Sequence, residues 1–530
     1  MIVVSGVITD LNNEVTVAID KANKILGLNS SDIVDSFIIK TSVDARHKKA
    51  PQLVSSVGFI TNKDEEKYVN KINNKNVSYR NLDAGLPKFC FGKQNLKNRP
   101  VIVGFGPAGM FAGLILAKNG YRPIIIERGE DVDKRISSVT SFWQTGKLNT
   151  QSNVQFGEGG AGTFSDGKLT TRINDPLCDY VLKEFVRLGA PSEILKKAKP
   201  HIGTDYLREI VKSIKKEIVS LGGEVLTSSQ LTDIIVKNGE IDQIVINGSY
   251  IPCSALILAI GHSARDTFEM LMQKSIAIES KPFSIGVRIE HLQSDINFGL
   301  YGKYMNHPML PKGEYQLSLR SSERAVYTFC MCPGGSVVPS CSEQNTVVTN
   351  GMSEFARDKK NANSALVVSV SQKDFGLNPK DAINFQRKYE QAAFIAGGEN
   401  YCAPAQTVGC FLNNKTGLDI SRIEPSYSLG VKECNFNNLF PSYISNMMRD
   451  GLINFGRKIR NFDANDAVLT GVETRTSSPI RILRGENLES ISISGLYPCG
   501  EGAGYAGGIM SAAVDGIKVA ISVIKKYRPL

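Results

Sequence analysis

The chain has 530 residues, 42% hydrophobic and 22% charged, and its formal net charge is +10 at pH 7. This length is too great for one hydrophobic core, so two or three domains are expected. The proportions of hydrophobic and charged residues exclude a disordered or fibrous protein. Ten cysteines without a Cys-x-x-Cys pair exclude a disulfide scaffold and a zinc ribbon, and no metal site is expected.

Composition also bounds the location and the partners. Reduced cysteines are typical of a cytoplasmic protein, and the N-terminus lacks the pattern of a signal peptide. No apolar run reaches the roughly 20 residues that span a bilayer, so we expect no membrane partner. The positive charge is compatible with an acidic partner such as RNA, but a generally basic surface explains it more simply, so nucleic acid is not the expected partner.

The first 92 residues are predicted to form a small α+β domain. Strands are expected over 2–9, 36–43 and 54–61, with one helix after the first strand and another over 64–72. This β-α-β-β-α order suggests a ferredoxin-like module. The polar, Pro-containing stretch from Leu86 to Pro100 is predicted to be a linker.

A dinucleotide-binding pattern follows the linker. The apolar strand Val101–Val103 precedes Gly104, Gly106 and Gly109, which provide a tight turn, room for a pyrophosphate and close helix packing. A second strand ends at Glu127, which follows Gly104 by 23 residues, the place of the acid that binds an unphosphorylated ribose. With the strand before and the helix after, the pattern predicts FAD or NAD, and NADP is disfavoured.

Three further segments favour FAD. The tail combines an apolar strand, an acidic residue in a glycine loop (Gly500, Glu501) and a helix that starts near Gly508. It resembles the C-terminal motif of the glutathione-reductase-like superfamily of FAD enzymes, which implies that Glu501 binds the ribitol chain and that the helix start faces the flavin. The strand end Ala259-Ile260-Gly261 resembles the Ala-Thr-Gly motif of that superfamily, with Ile260 in place of Thr. Residues 157–167 hold five glycines, which suggests backbone packed against the ligand.

Between these segments, 224–246 is predicted to be a β-meander around Asn238-Gly239. Within it, Leu231 resembles the position of the same FAD superfamily at which the backbone contacts the adenine. The resemblance and the motifs together predict a set of cofactor-binding residues: Gly104, Gly106, Pro107, Ala108, Gly109, Glu127, Arg128, Gln155, Gly160, Gly162, Thr163, Leu231, Ala259, Gly261, Gly500, Glu501, Gly508 and Ile509.

The whole chain is similar to an uncharacterised family of FAD-dependent dehydrogenases with an N-terminal ferredoxin-like domain. The residues that carry this are Ser42–Arg46, the loop 153–168 and Phe329–Gly335, with further matches at 350–353, 361–365 and 472–479. The predicted fold is α/β, with a Rossmann-like FAD-binding domain (96–282 and 470–530), an inserted α+β substrate domain (283–469) and the N-terminal domain (1–92).

The predicted function is an FAD-dependent oxidoreductase that transfers a hydride between flavin N5 and an organic small molecule. Three electron sources stay open, namely transiently bound NAD(P)H, a partner protein and the substrate itself. The alternatives are a flavoprotein acting on tRNA or binding RNA, a non-catalytic flavin-binding sensor, and an NAD-dependent dehydrogenase without flavin. The sequence assigns no catalytic residue and no oligomeric state.

Several titratable residues are candidates for roles in the site. Lys168 and Arg172 are candidates for binding an anionic substrate or stabilising reduced flavin, although solvated charges are the simpler interpretation. The candidates for proton transfer are His262, Glu158, His291 and His307.

Overall fold

The computed structural model describes residues 1–46, 50–81 and 85–529. Residues 47–49 and 82–84 of the predicted N-terminal domain lie outside the described residues. No helix within the described ranges is long and apolar enough to cross a membrane.

The N-terminal unit is a four-stranded sheet covered by two helices. Its elements are β1 (Ile2–Asp10), α1 (Val15–Leu26), β2 (Ile33–Asp44), β3 (Gln52–Thr61), α2 (Glu65–Lys71) and β4 (Val77–Tyr79). The strands pair antiparallel in the order β2-β3-β1-β4. Helix α1 buries Ala18, Ala22 and Leu26. Val15 and Ile25, two apolar positions of the predicted helix, are 61% and 40% exposed and lie outside the buried face of the helix.

The next unit opens with alternating strands and helices and then a small antiparallel sheet. Its elements are β5 (Gln94–Asn95), β6 (Val101–Val103), α3 (Pro107–Lys118), β7 (Ile124–Ile126), α4 (Val132–Thr145), α5 (Leu177–Arg187), α6 (Gly203–Ser220), β8 (Glu224–Leu226), β9 (Leu231–Lys237), β10 (Glu240–Ile246), β11 (Ser249–Pro252), β12 (Leu256–Leu258) and α7 (Arg265–Gln273). The predicted meander over 224–246 is wrong at its start. Strand β8 pairs in parallel with β7, and the antiparallel sheet consists of β9, β10 and β11.

The third unit is built on a seven-stranded sheet, which we call the cap sheet. Its elements are β13 (Ile278–Ser280), β14 (Phe283–Leu292), α8 (Gln293–Tyr301), β15 (Ser318–Arg320), β16 (Ala325–Cys332), β17 (Ser336–Pro339), β18 (Thr349–Met352), β19 (Asn361–Val370), α9 (Gln372–Phe375), α10 (Pro379–Gly397), β20 (Ala403–Thr407), α11 (Val408–Leu412), β21 (Val431–Glu433), α12 (Phe436–Leu439), α13 (Ser442–Lys458) and β22 (Val468–Glu473). The cap sheet has the order β15-β16-β19-β14-β22-β20-β21. The expected boundary between residues 469 and 470 therefore falls inside β22.

The tail returns to the parallel sheet. It contains β23 (Ile480–Ile482), β24 (Leu496–Pro498), α14 (Ile509–Lys526) and β25 (Tyr527–Arg528). The parallel sheet has the order β24-β12-β6-β7-β8, in which chain order reverses between β6 and β12. In open α/β sheets, ligands bind at the carboxyl ends of the strands that flank such a reversal. The sheet thus directs attention to the residues that follow β6 and β12.

The predicted linker packs against the end of the chain. Strand β5 pairs in parallel with β25, and the Gly92 N–H donates to the Ile524 carbonyl at 2.8 Å. The Tyr121 hydroxyl donates to the Tyr527 carbonyl at 2.6 Å. These contacts fasten the last helix to the segment that enters β6.

Candidate functional site

The turn after β6 has a geometry that requires glycine. Gly104 has φ +98°, and a Cβ there would lie 2.3 Å from the Ala259 carbonyl oxygen at the end of β12. A Cβ on Gly109 would lie 1.9 Å from the Gly104 carbonyl oxygen. Helix α3 begins directly after Gly106 with Pro107 and Ala108, so its free N–H groups and positive end face the reversal point of the sheet.

The loop over 157–163 lies against this turn. A Cβ on Gly160, which has φ +64°, would lie 3.0 Å from the Gly106 Cα. A Cβ on Gly162 would lie 3.2 Å from Cγ1 of Ile509, the first residue of α14. Thr163 is fully buried, and its carbonyl accepts a hydrogen bond from the Thr204 hydroxyl at 2.6 Å. The loop therefore joins the starts of α3 and α14, while the Thr163 side chain lies inside the protein.

The glycine loop after β24 completes the groove. A Cβ on Gly500 would lie 2.8 Å from the Ala108 Cβ, and one on Gly502 would lie 2.4 Å from the Gly261 carbonyl oxygen. By contrast, Gly261, Gly507 and Gly508 have no atom within 4 Å of an added Cβ. Two helix starts, tight glycine backbone and this open space form one groove at the carboxyl ends of β6, β12 and β24, which we call the glycine groove.

Glu127 lies at the end of β7 with its carboxylate buried. Its Oε2 accepts the Phe105 N–H at 2.8 Å, and its Oε1 accepts the N–H groups of Gly129 at 3.0 Å and Gly157 at 2.9 Å. A carboxylate has about four acceptor positions, so roughly one stays available to a ribose hydroxyl. The structure thus shows Glu127 fixing two loops of the glycine groove, a role that the sequence did not indicate.

The structure shows the following contacts for the other predicted cofactor residues. Arg128 donates to both carboxylate oxygens of Asp266 at 2.7 Å and lies over the Phe156 ring. The side-chain amide nitrogen of Gln155 donates to the hydroxyl of Ser340, in the cap unit, at 2.6 Å. Leu231 is buried in β9, and the Ala259 N–H donates to the Val103 carbonyl at 2.8 Å.

Glu501 and two lysines bring charge to the open side of the glycine groove. Burial raises the pKa of Glu501 to about 7, Lys281 lowers it and the neighbouring Cys330 raises it. Burial lowers the pKa of Lys281, and nearby Arg481 acts in the same direction. Lys168 donates to the Met331 carbonyl of the cap sheet. The charge of Glu501 is therefore sensitive to its neighbours near neutral pH.

The face of the cap sheet near Glu501 holds buried polar residues that the sequence did not indicate as a site. Arg288 on β14 donates to the Cys330 carbonyl at 2.8 Å, and its Nε lies 3.2 Å from Oε2 of Glu473 on β22. Burial raises the pKa of Glu473 to about 7, and Arg288 opposes this shift. In the sequence such residues look like ordinary strand positions. The cluster becomes visible only in the cap sheet, whose strand order brings β16, β14 and β22 near one another.

The predicted proton-transfer residues are dispersed. Glu158 is buried, where it pairs with Lys215 and accepts the Val132 N–H at 3.0 Å. His291 is buried in the cap interior, with its Nε2 2.7 Å from the Phe462 carbonyl oxygen, and burial lowers its pKa to about 4. His307 contacts Asn12 of the N-terminal unit.

His262 lies nearest to the glycine groove, directly after Gly261. Its Nδ1 is 3.0 Å from the Ser263 hydroxyl. Burial lowers its pKa to about 3, with Arg475 and Arg265 acting in the same direction, so the ring is neutral at pH 7. Arg172 is exposed. Across residues 1–46, 50–81 and 85–529, no three His, Cys, Asp or Glu side chains are arranged to hold a metal ion.

A buried ion network joins the unit that contains the glycine groove to the cap unit. Glu390 on α10 is fully buried and receives Nη1 and Nη2 of Arg265 on α7, both at 2.8 Å. Arg475 donates to the same carboxylate at 3.0 and 3.1 Å, and its Nη1 also reaches the Ser263 hydroxyl at 3.0 Å. The network fixes the cap sheet relative to β12 and its following loop.

Comparison with known proteins identifies the family. Residues 282–476 match a family model described as "FAD-dependent protein, C-terminal domain-like". The chain is 49% identical over 527 residues to an uncharacterised protein of Clostridium beijerinckii. The aligned residues cover 99% of this chain and 98% of that protein. The chain belongs to the same family as this relative, and its residues 282–476 match the domain model of FAD-dependent proteins. The matched model spans the cap unit from β14 to just after β22.

Two more distant similarities cover parts of the chain. A segment of 154 residues is 25% identical to thiamine thiazole synthase of Thermococcus kodakarensis and covers 29% of this chain and 49% of that protein. The solved structure of a geranylgeranyl bacteriochlorophyll reductase-like protein from Thermoplasma acidophilum is 12% identical, covers 79% of this chain and 76% of that chain, and has a TM-score of 0.34.

Proposed function

We propose that this FAD-dependent protein is an oxidoreductase that transfers a hydride between flavin N5 and an organic small molecule bound between the glycine groove and the cap sheet. The observation that carries the proposal is the convergence of the starts of α3 and α14 with three glycine loops on one groove. Helix starts favour the anionic pyrophosphate and the negative charge of reduced flavin.

Each part of the groove has a role in this proposal. The turn from Gly104 to Gly109 holds the pyrophosphate, and Glu127 offers its remaining acceptor position to the ribose. Glu501 faces the ribitol chain, and the start of α14 at Gly508 and Ile509 faces the flavin ring. The remaining predicted residues line the same path: Arg128, Gln155, Gly160, Gly162, Thr163, Leu231, Ala259, Gly261 and Gly500.

When bound, FAD supplies a two-electron acceptor and donor at N5. The chain positions the substrate and handles its proton. Glu473 is suited to exchange a proton near neutral pH, because burial raises its pKa to about 7. Arg288 lies beside it and limits the cost of its ionised form. Lys168 and Lys281 add positive charge, which favours an anionic substrate.

Further parts of the proposal concern the surroundings of the reaction. Transiently bound NAD(P)H is the proposed electron donor. The other two sources of electrons are a partner protein and the substrate itself. The element order βαββαβ and the strand order β2-β3-β1-β4 support a ferredoxin-like N-terminal module. The ten cysteines are all free thiols, which supports a cytoplasmic location.

The direct test is a visible spectrum of the purified protein supplied with FAD, followed by anaerobic addition of NADH or NADPH. We expect flavin bands near about 370 and 450 nm and their bleaching by one of the two donors. A protein without these bands contradicts the proposal. Bands that no donor, partner fraction or substrate library bleaches favour a sensor over an enzyme.

Gly106→Val tests the placement of the pyrophosphate. A Cβ at this position lies 3.6 Å from the Gly160 Cα, an ordinary contact, so the protein without FAD should still fold. The larger side chain occupies the space of the phosphates, so we expect FAD to be lost during gel filtration. Ser137→Val on the exposed face of α4 adds similar bulk and serves as the control. Retention of FAD by Gly106→Val would show that the pyrophosphate lies elsewhere.

A further inference from the structure

Cys330 and Cys332 lie at an irregularity of the cap sheet. The register of β16 against β19 shifts between Phe329 and Cys332, and Cys330 has φ +45°. On a regular strand these two residues would share one face, and here the extra residues of the bulge separate Phe329 from Cys332 in the pairing with β19. The Cys332 Sγ donates to the Cys330 carbonyl oxygen at 3.4 Å, so the Cys332 thiol folds back onto the backbone of Cys330. Cys330 is half-buried, whereas Cys332 is fully buried.

The surroundings favour a negative charge on Cys330. Cys332, Arg288 and Lys168 together hold the pKa of Cys330 well below its ordinary value. The two cations lie beside the pair, because Arg288 donates to the Cys330 carbonyl at 2.8 Å and Lys168 donates to the Met331 carbonyl. The contact with Cys330, together with burial, raises the pKa of Cys332. A half-buried cysteine with a lowered pKa therefore lies beside a buried cysteine with a raised pKa, which is the arrangement of a reactive cysteine beside a resolving cysteine.

Unsatisfied polar groups show that this place is not ordinary strand packing. A Cβ on Gly351 would lie 2.5 Å from Oδ1 of Asn363, 2.7 Å from Nη2 of Arg288 and 2.8 Å from the Cys332 Sγ, so these atoms converge on one point. Asn363 is fully buried, yet among the residues that the structure describes neither its amide oxygen nor its amide nitrogen has a hydrogen-bond partner. Buried groups of this kind are rare and are typical of sites that bind or react.

We propose that Cys330 is a peroxide-reactive thiolate and that Cys332 resolves it as an intramolecular disulfide. The Cys330 sulfur attacks one oxygen of hydrogen peroxide, the O–O bond breaks, and the distal oxygen leaves as water after taking a proton. The sulfur of Cys332 then attacks the Cys330 sulfenic acid, the S–O bond breaks, and the second water carries away the Cys332 thiol proton. Two thiols lose two electrons in total, and one peroxide is reduced to two waters.

The disulfide would change the charge of the site beside it. The ionised Cys330 contributes to the raised pKa of both Glu473 and Glu501. Its conversion to a neutral disulfide removes that contribution, so both carboxyl groups ionise at lower pH. Reversible oxidation of the two cysteines therefore lowers the pKa of Glu473 and of Glu501.

The test treats the reduced, FAD-supplied protein with hydrogen peroxide, blocks the remaining thiols and maps the cysteines by mass spectrometry. Cleavage after Arg324 and Arg357 leaves Cys330, Cys332 and Cys341 on one peptide. We expect Cys330 and Cys332 to lose their two thiol hydrogens together and to regain them with dithiothreitol. Cys330 should react roughly tenfold faster than the exposed Cys90. Oxidation of Cys330 no faster than that of Cys90, or without Cys332, overturns the proposal.

Two variants sharpen the result. Cys332→Ser should leave Cys330 as a sulfenic acid that dimedone traps, whereas Cys341→Ser, a change at another buried thiol, should leave disulfide formation unchanged. If Cys332→Ser fails to fold, the wild-type peptide map still decides. The reaction needs no flavin chemistry, so its failure and a failure to bind FAD are read independently from the peptide map and the visible spectrum.

Discussion

At the scale of single residues, buried charges hold the two halves of the site together. Glu390 has no exposed surface and is bonded by two arginines and by the Thr474 hydroxyl at 2.7 Å. Arg265 and Arg475 keep its pKa far below the ordinary value, although burial alone would raise it. Removing one partner of such a cluster leaves the other charges buried without compensation.

Glu390→Gln should therefore destabilise the protein by about 3–5 kcal/mol at pH 7, measured by urea denaturation. The folded-state pKa of Glu390 is depressed, so its contribution is present above the unfolded-state pKa of about 4.3 and is lost as pH falls below it. The stability gap between wild type and variant should narrow on acidification. The exposed Glu399→Gln is the control and should shift stability by less than about 0.5 kcal/mol. A gap that does not depend on pH would contradict this account.

Single-residue signals explain how much of the site was predictable. Gly104, Gly106 and Gly109 could be recognised because glycine has steric consequences that recur at fixed spacing. The cluster of Arg288, Glu473 and Cys330 could not, because the burial of a charge depends on partners supplied by other strands. The sequence indicated Glu158 as a candidate for proton transfer, but it could not show that Glu158 forms an ion pair with Lys215.

At the scale of elements, the central contact is that of α3 with α14. A Cβ on Gly516 of α14 would lie 2.1 Å from the Ala108 carbonyl oxygen of α3. This glycine lets the two helices that begin at the glycine groove approach closely. The distance between their starts, and hence the width of the groove, depends on the close approach.

Gly516→Ala should push the two helices apart, because backbone atoms cannot move aside as a flexible side chain can. We expect a loss of about 1–3 kcal/mol in stability, the usual cost of overpacking, and weaker retention of FAD. Lys525→Ala on the exposed side of α14 is the matched control and should change neither. Thermal denaturation and the ratio of flavin to protein absorbance measure both effects. Unchanged values for Gly516→Ala would mean that the helices tolerate a wider spacing.

Element predictions were accurate where a pattern was long and failed where it was short. Residues 2–9 and 64–72 agree closely with β1 and α2. Strand β8 has only three residues, Glu224–Leu226, too few to show whether a parallel or an antiparallel neighbour pairs with it. The predicted domain boundary between residues 469 and 470 falls inside β22 for a related reason, since nothing local in 468–473 shows which sheet the strand joins.

At the scale of the whole molecule, the N-terminal unit has a separate core and few ties to the rest. Its core includes Ile2, Val57 and Phe59. Among residues 1–46 and 50–81, its ties to the rest include backbone hydrogen bonds between Thr41 and residues 196 and 198, an ion pair of Arg80 with Asp179, and the contact of Asn12 with His307. None of these residues borders the glycine groove.

A chain that begins at Gly85 should therefore keep its FAD. This truncation retains the segment over 92–95 that pairs with the end of the chain. We expect an unchanged flavin-to-protein absorbance ratio, with a modest fall in thermal stability from the lost ties. The matched comparison removes residues 527–530 and with them β25, which should loosen α14 and reduce flavin content. Loss of flavin from the N-terminal truncation alone would show that residues 1–84 help to form the site.

The glycine groove also imposes an order on the making of the protein. Its first turn is at Gly104 and its last loop is at Gly500, about 400 residues later. At the usual rate of about 5–20 residues per second, a ribosome needs roughly 20–80 s to travel that distance. During that interval β12 has no β24 beside it, and α3 exposes the face that α14 later covers. A nascent chain must therefore survive with this edge and face uncovered, and the cofactor can enter its complete pocket only after the Gly500 loop and α14 have been synthesised.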